Sequence, residues 1–211
     1  MTINAFGKSF VATDSGDDTI TSTGTSTDYI IVGDGDNSVN AGSGADTIVA
    51  GSGNDTLLGG SGADSIVGGD GNNYLDGGNS NDTIIAGGGD DTILGGDGND
   101  SILAGNGDND INAGTGDDTV VAGDGNDTIL GGSGNDSLVG GNGSNEISGG
   151  TRRHDRRIVG TCHRDRDRRR RGLAVRIGHR IGERVGGRRP LGESLRRQGR
   201  IVQGVAVGTV R

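Results

Sequence analysis

The sequence predicts an all-β fold of stacked coils, and two observations predict it. Glycine falls at every ninth residue from Gly33 to Gly150 without a slip. An unbroken period of that kind marks a repeat architecture rather than a globular core. Within each nonapeptide the seventh place is always Val, Ile or Leu: Val39, Ile48, Leu57, Ile66, Leu75, Ile84, Ile93, Ile102, Ile111, Val120, Ile129, Leu138 and Ile147. One aliphatic residue in nine gives each repeat a single side chain to turn inward.

Residues 1–32 hold two degenerate units, Asp14-Ser-Gly-Asp-Asp-Thr-Ile20 and Gly24-Thr-Ser-Thr-Asp-Tyr-Ile30, one residue out of step with each other. They are expected to cap the stack, because end repeats of solenoids are atypical and an open coil leaves an unpaired strand edge. Met1 to Phe10 has one lysine and no apolar run, so it does not read as a cleaved secretory signal. No transmembrane segment is expected either.

Residues 33–150 carry thirteen nonapeptides in frame, such as Gly42-Ser-Gly-Ala-Asp-Thr-Ile-Val-Ala50 and Gly51-Ser-Gly-Asn-Asp-Thr-Leu-Leu-Gly59. The fifth place is always Asp or Asn. This stretch resembles the RTX nonapeptide family, the G-G-x-G-x-D-x-U-x calcium repeats of secreted bacterial proteins. The resemblance implies a right-handed parallel β-roll, a β-solenoid with eighteen residues per coil. Short strands would form two parallel sheets, and six-residue turns would bind several calcium ions at the two edges. It implies as metal ligands Asp46, Asp55, Asp64, Asp82, Asp91, Asp100, Asp118, Asp127 and Asp136, with weaker Asn37, Asn73, Asn109 and Asn145. Backbone carbonyls would come from Gly42, Gly44, Gly51, Gly53, Gly60, Gly62, Gly87, Gly89, Gly96, Gly98, Gly114, Gly116, Gly123, Gly125, Gly132 and Gly134. Ser80 stands where the second glycine belongs.

The residues argue for a metal on their own. Residues 1–150 contain 24 acids and one base, Lys8, a net charge of −23, and 37 of the 47 glycines. So much glycine is costly to order, and the thin aliphatic core offsets little of that cost. Alone, such a chain should be extended. A hard divalent cation takes oxygen from carboxylates and carbonyls, and Gly-x-Gly-x-Asp offers both. The unfolded chain has no such site, so binding energy becomes folding energy.

The asparagines recur every 36 residues, at 37, 73, 109 and 145, and the eighth place turns polar in the same units, at Asn40, Asp76, Asn112 and Ser148. If a coil is eighteen residues, one edge stacks Asp46, Asp64, Asp82, Asp100, Asp118 and Asp136, while the other alternates Asn and Asp. A carboxylate offers two acceptor oxygens and a charge where Asn offers one oxygen and none. The all-Asp edge is expected to bind more tightly. On that side the eighth place is Val49, Val67, Ile85, Leu103, Val121 and Val139, beside Thr or Ser at the sixth. Both places should face outward. The strip reads as ordinary β-propensity on a solvated sheet, or as a docking face for self-association.

At Thr151 the composition breaks. Residues 151–211 hold 19 Arg, no Lys and five acids, net +14. An Arg-rich tail commonly binds nucleic acid or an anionic surface, but no helical period or aromatic interleaving supports that here. A shifted reading frame explains it better: read one base on, with suitable third bases, Thr151 to Arg157 continues the repeat. The tail is therefore expected to be disordered or a frameshift product. His154, His163, His179 and Cys162 all lie in it, and their spacing is not that of a known zinc site.

The roll has no His, Cys or Arg, so no general base near neutral pH, no thiol nucleophile and no anion clamp; the expectation is no enzyme. The expected function is calcium binding by a secreted, extracellular roll that folds on meeting calcium outside the cell. The resembled family leaves by one-step export through a C-terminal signal and accompanies toxins, proteases, lipases and adhesins, so a fragment of such a protein is an alternative. Others are an ice- or surface-binding solenoid using the Thr/Ser strip, and nucleic-acid binding by the tail. No small-molecule substrate is expected.

Overall fold

The structure, a computed structural model, describes residues 1–5, 7–150 and 157–164. Each nonapeptide lays down one short strand from its sixth place, because the aliphatic at the seventh is flanked by β-branched or hydroxyl residues that suit an extended, half-buried chain. Apart from the last three, every strand pairs in parallel with the strand two further along, so consecutive strands lie on opposite faces of the coil. One ladder runs through β1 (Thr2–Ala5), β3 (Thr19–Ser22), β5 (Ser38–Asn40), β7 (Thr56–Ser61), β9 (Tyr74–Asn79), β11 (Thr92–Asp97), β13 (Asp110–Thr115) and β15 (Thr128–Leu130). The other runs through β2 (Phe10–Ala12), β4 (Tyr29–Ile31), β6 (Thr47–Val49), β8 (Ser65–Asp70), β10 (Thr83–Gly88), β12 (Ser101–Asn106) and β14 (Thr119–Asp124). The longer β16 (Ser137–Ser148) turns from one face to the other: Ser137 pairs with Thr119 of β14 and Glu146 with Thr128 of β15. All sixteen strands of residues 1–150 are parallel, and no helix occurs among the described residues.

The register is eighteen residues from Tyr29↔Thr47 to Leu130↔Ser148. Two nonapeptides therefore make one coil, and the fold is a β-solenoid of about eight turns. The degenerate units continue both ladders to the N-terminal end of the stack. Their spacing is uneven, 17 residues at Thr2↔Thr19 and 19 at Phe10↔Tyr29, but the turns absorb the difference and Ile20 and Ile30 still point inward.

The interior has three columns per face where the aliphatic period shows one. The seventh-place residues are buried, as the period predicts. The ninth place lies two residues on and so faces the same way; it holds only small residues, and Ala41, Ala50, Ala86, Ala104, Ala113 and Ala122 are buried. The third column is the Asp or Asn of the fifth place. Stacking is tight at the first- and third-place glycines. Gly105 and Gly107 have φ of +98° and +130°, and a Cβ on Gly105 would lie 1.8 Å from the Gly87 carbonyl oxygen. Ser80, at a third place, keeps the glycine geometry with φ +85°.

Sixth and eighth places face outward, as expected. Ile85, Leu103 and Val121 are exposed and Val49, Val67 and Val139 half-buried, aligned side by side across the ladder. In the Arg-rich segment, where composition shows no strand period, Arg157–Arg164 forms β17 and pairs with β16, Ile158 opposite Leu138. Parallel pairing is made by the backbone, so an open ladder edge accepts a strand of almost any composition. The rest of 151–211, with His154 and His179, lies outside the described residues. No helix among the described residues is long and apolar enough to cross a membrane.

Candidate metal centre

Each coil turns twice through Gly-x-Gly-x-Asp/Asn. At most of these turns positive φ at both glycines bends the chain back on itself, and the fifth-place side chain is buried. Its Oδ1 has a fixed partner, the backbone N–H of the fifth-place residue one coil earlier. The Asp46 N–H donates to Asp64 Oδ1 at 2.7 Å, Asp64 to Asp82 at 2.7 Å, Asp82 to Asp100 at 2.8 Å and Asp100 to Asp118 at 2.8 Å. On the opposite edge Asn37 donates to Asp55 at 2.8 Å, Asp55 to Asn73 at 2.9 Å, Asn73 to Asp91 at 2.8 Å and Asp91 to Asn109 at 3.0 Å. The two rows are the all-Asp and the alternating row that the 36-residue period implies.

The second carboxylate oxygen has no such partner. Oδ2 of Asp46, Asp55, Asp64, Asp82, Asp91, Asp100, Asp118, Asp127 and Asp136 is buried without a hydrogen bond. These are the nine aspartates named from the sequence. A buried carboxylate oxygen left unpaired costs several kcal/mol in an apolar setting unless a cation meets it. The same carboxyls are raised. Burial is the main cause that pushes Asp82 and Asp118 up to about 7, and neighbouring aspartates, Asp64 and Asp100 for the former, push further. Burial likewise lifts Asp64 and Asp91 to about 6. On the alternating row Asn73, first through its backbone N–H and then through its side chain, draws Asp91 partly back.

The asparagine turns show what surrounds that second atom. Asn37 Nδ2 donates to the carbonyls of Gly35 at 2.8 Å and Gly33 at 3.2 Å. Asn73 donates to Gly71 and Asn109 to Gly107, both at 3.1 Å. The third-place carbonyl therefore lies beside the fifth-place side chain at Asn37, Asn73 and Asn109, and at Asn37 the first-place carbonyl does too. At Gly77, a ninth place, there is no room for a side chain: a Cβ would lie 2.5 Å from Asp82 Oδ2.

Among the described residues no three His, Cys, Asp or Glu side chains converge on one point. The donor set is one carboxylate against backbone carbonyls, all hard oxygen. That set fits calcium, whose coordination is flexible, and not zinc, which wants nitrogen or sulfur. Sequence reasoning missed a second polar ladder at the fourth place. Asp36 Oδ1 accepts the Asn54 N–H at 2.7 Å, Asn54 that of Asn72, Asn72 that of Asp90, and Asp90 that of Asp108. The preference for Asp and Asn at that place was its signal.

Fold and turns together define a class, a parallel β-solenoid whose glycine turns set single carboxylates against backbone carbonyls. The chain belongs to the RTX calcium-binding nonapeptide repeat family, which it matches in four copies over residues 22–57, 58–93, 85–120 and 121–151, more than half its length. Membership carries calcium binding with it. No curated protein and no solved structure matched the chain.

Proposed function

We propose that the roll is a calcium-dependent folding module that works outside the cell and is not an enzyme. The observation that carries this reading is the set of nine buried aspartate oxygens without a partner. Asp46, Asp64, Asp82, Asp100, Asp118 and Asp136 on one edge, and Asp55, Asp91 and Asp127 on the other, would hold the metal with the carbonyls of the first- and third-place glycines. Bound calcium supplies the positive charge that a segment of net charge −23 lacks. The chain does the rest. Glycine turns aim the carbonyls, Oδ1 locks each carboxylate to the coil below, and the aliphatic column closes behind them. On this reading the raised carboxylates are ligands and not acid–base catalysts.

Extracellular work follows from the thermodynamics. A module that orders only with calcium stays extended where calcium is scarce, and folds where it reaches about 10⁻³ M, the range of extracellular calcium modules. Circular dichroism of the whole chain tests this. Chelator should give coil, and millimolar calcium should convert residues 1–150 to strand. Magnesium should substitute poorly, because it demands a near-ideal octahedron and keeps its waters. Equal strand content with chelator and with calcium would refute the proposal.

A further inference from the structure

We propose that the asparagine turns carry their own occupant: the carboxamide nitrogens of Asn37, Asn73 and Asn109 stand where the aspartate turns would hold calcium, so in the folded roll these turns need no metal and exclude it. The inference rests on the reading that the aspartate turns bind calcium. Carboxylate and carboxamide have nearly the same shape, and in both kinds of turn Oδ1 is spoken for by the N–H one coil earlier. That bond also fixes which end of the asparagine is nitrogen, since the N–H must face an oxygen. What remains is the other atom. In an aspartate turn it is a buried acceptor without a partner, which a cation or a proton would satisfy. In an asparagine turn it is a donor, already bonded to the third-place carbonyl of Gly35, Gly71 or Gly107.

The N-terminal units reach the same end with a different group. Asp28 occupies a fifth place, yet its Oδ2 accepts the Ser22 hydroxyl at 2.5 Å and its Oδ1 the Ser9 N–H at 2.7 Å. At the far end Asn145 Nδ2 donates to the Gly140 carbonyl at 2.8 Å. The 36-residue period is then an alternation of metal and amide along one edge. Every second coil has a calcium turn on one side and a self-filled turn on the other.

Equilibrium dialysis against calcium, with circular dichroism, tests this on the full chain. The parent is compared with Asn73→Asp/Asn109→Asp and Asn73→Ala/Asn109→Ala. The aspartate variant should bind more calcium per chain than the parent, by two ions. The alanine variant should bind the parent's number. A parent that binds calcium while the aspartate variant binds no more would overturn the inference and leave the proposed function standing. An alanine variant that loses two ions would show that the asparagines are themselves ligands, and would also overturn it. So would an aspartate variant that folds at no calcium concentration, since its turns would reject an ion the other turns accept. A parent that binds no calcium removes the proposed function first.

Discussion

Single side chains carry two kinds of cost here, one conformational and one electrostatic. Ser80 sits at φ +85° where every neighbouring coil places glycine, and a side chain in that region costs about 1 kcal/mol or more. Ser80→Gly should therefore raise the melting temperature of the calcium-loaded roll by roughly 2–4 °C for a chain of this size; a lowered melting temperature would contradict it. The electrostatic cost concerns the fifth-place carboxylates. Asp82 and Asp118 rise from 3.8 to about 7, and Asp64 and Asp91 to about 6, chiefly through burial. A raised carboxyl means that the metal-free folded state binds more protons than the unfolded one. Its stability is then greatest below about pH 4 and is lost as pH rises through 6 to 7. A proton on Oδ2 makes the aspartate a donor, as Nδ2 makes the asparagine. In chelator, strand content should be higher at pH 4 than at pH 8, and with calcium present acid should instead weaken binding. A chelated chain with the same spectrum at both pH values would rule this out.

At the scale of the turn and its strand, the two edges differ in the spacing of charge. On the all-Asp row each carboxylate has carboxylates one coil above and below, and Asp64 and Asp100 both press on Asp82. On the alternating row an asparagine separates them. The all-Asp row therefore repels itself most without metal and gains most from it. Asp82→Ala/Asp100→Ala should raise the calcium concentration needed for half-folding several-fold, while Asn73→Ala/Asn109→Ala should move it far less. The two pairs can be titrated side by side by circular dichroism, and a larger shift from the asparagine pair would reverse the assignment of the edges.

The whole molecule is a stack in which each coil touches only its neighbours, so stability is close to a sum over coils. Deleting residues 69–104 removes two whole coils and returns every strand to its register of eighteen. The shortened chain should still fold with calcium, with a lower melting temperature. It should also bind fewer ions, because Asp82, Asp91 and Asp100 leave while Asn73 costs nothing. A chain that no longer folds would show coupling beyond nearest neighbours.

Much of this was legible in the sequence because a solenoid repeats one local solution. The glycine period fixed the stack, the aliphatic place fixed what points inward, and the 36-residue asparagine period separated the two rows of turns, Asp46 to Asp136 and Asn37 to Asn145. Three things needed the tertiary structure. The ninth place belongs to the core, but Ala and Gly are too small to announce it, and only the folded coil shows that a Cβ at Gly77 would crowd Asp82 Oδ2. The fourth-place ladder of Asp36, Asn54, Asn72 and Asp90 joins residues eighteen apart, so no local pattern reveals which of its atoms meet. The difference between an aspartate and an asparagine turn is a matter of which buried atom has a partner. Composition counts the carboxylates and carboxamides, but a hydrogen bond is a property of two atoms in space, and only the folded coil brings Asn73 Nδ2 to the Gly71 carbonyl and leaves Asp82 Oδ2 facing none.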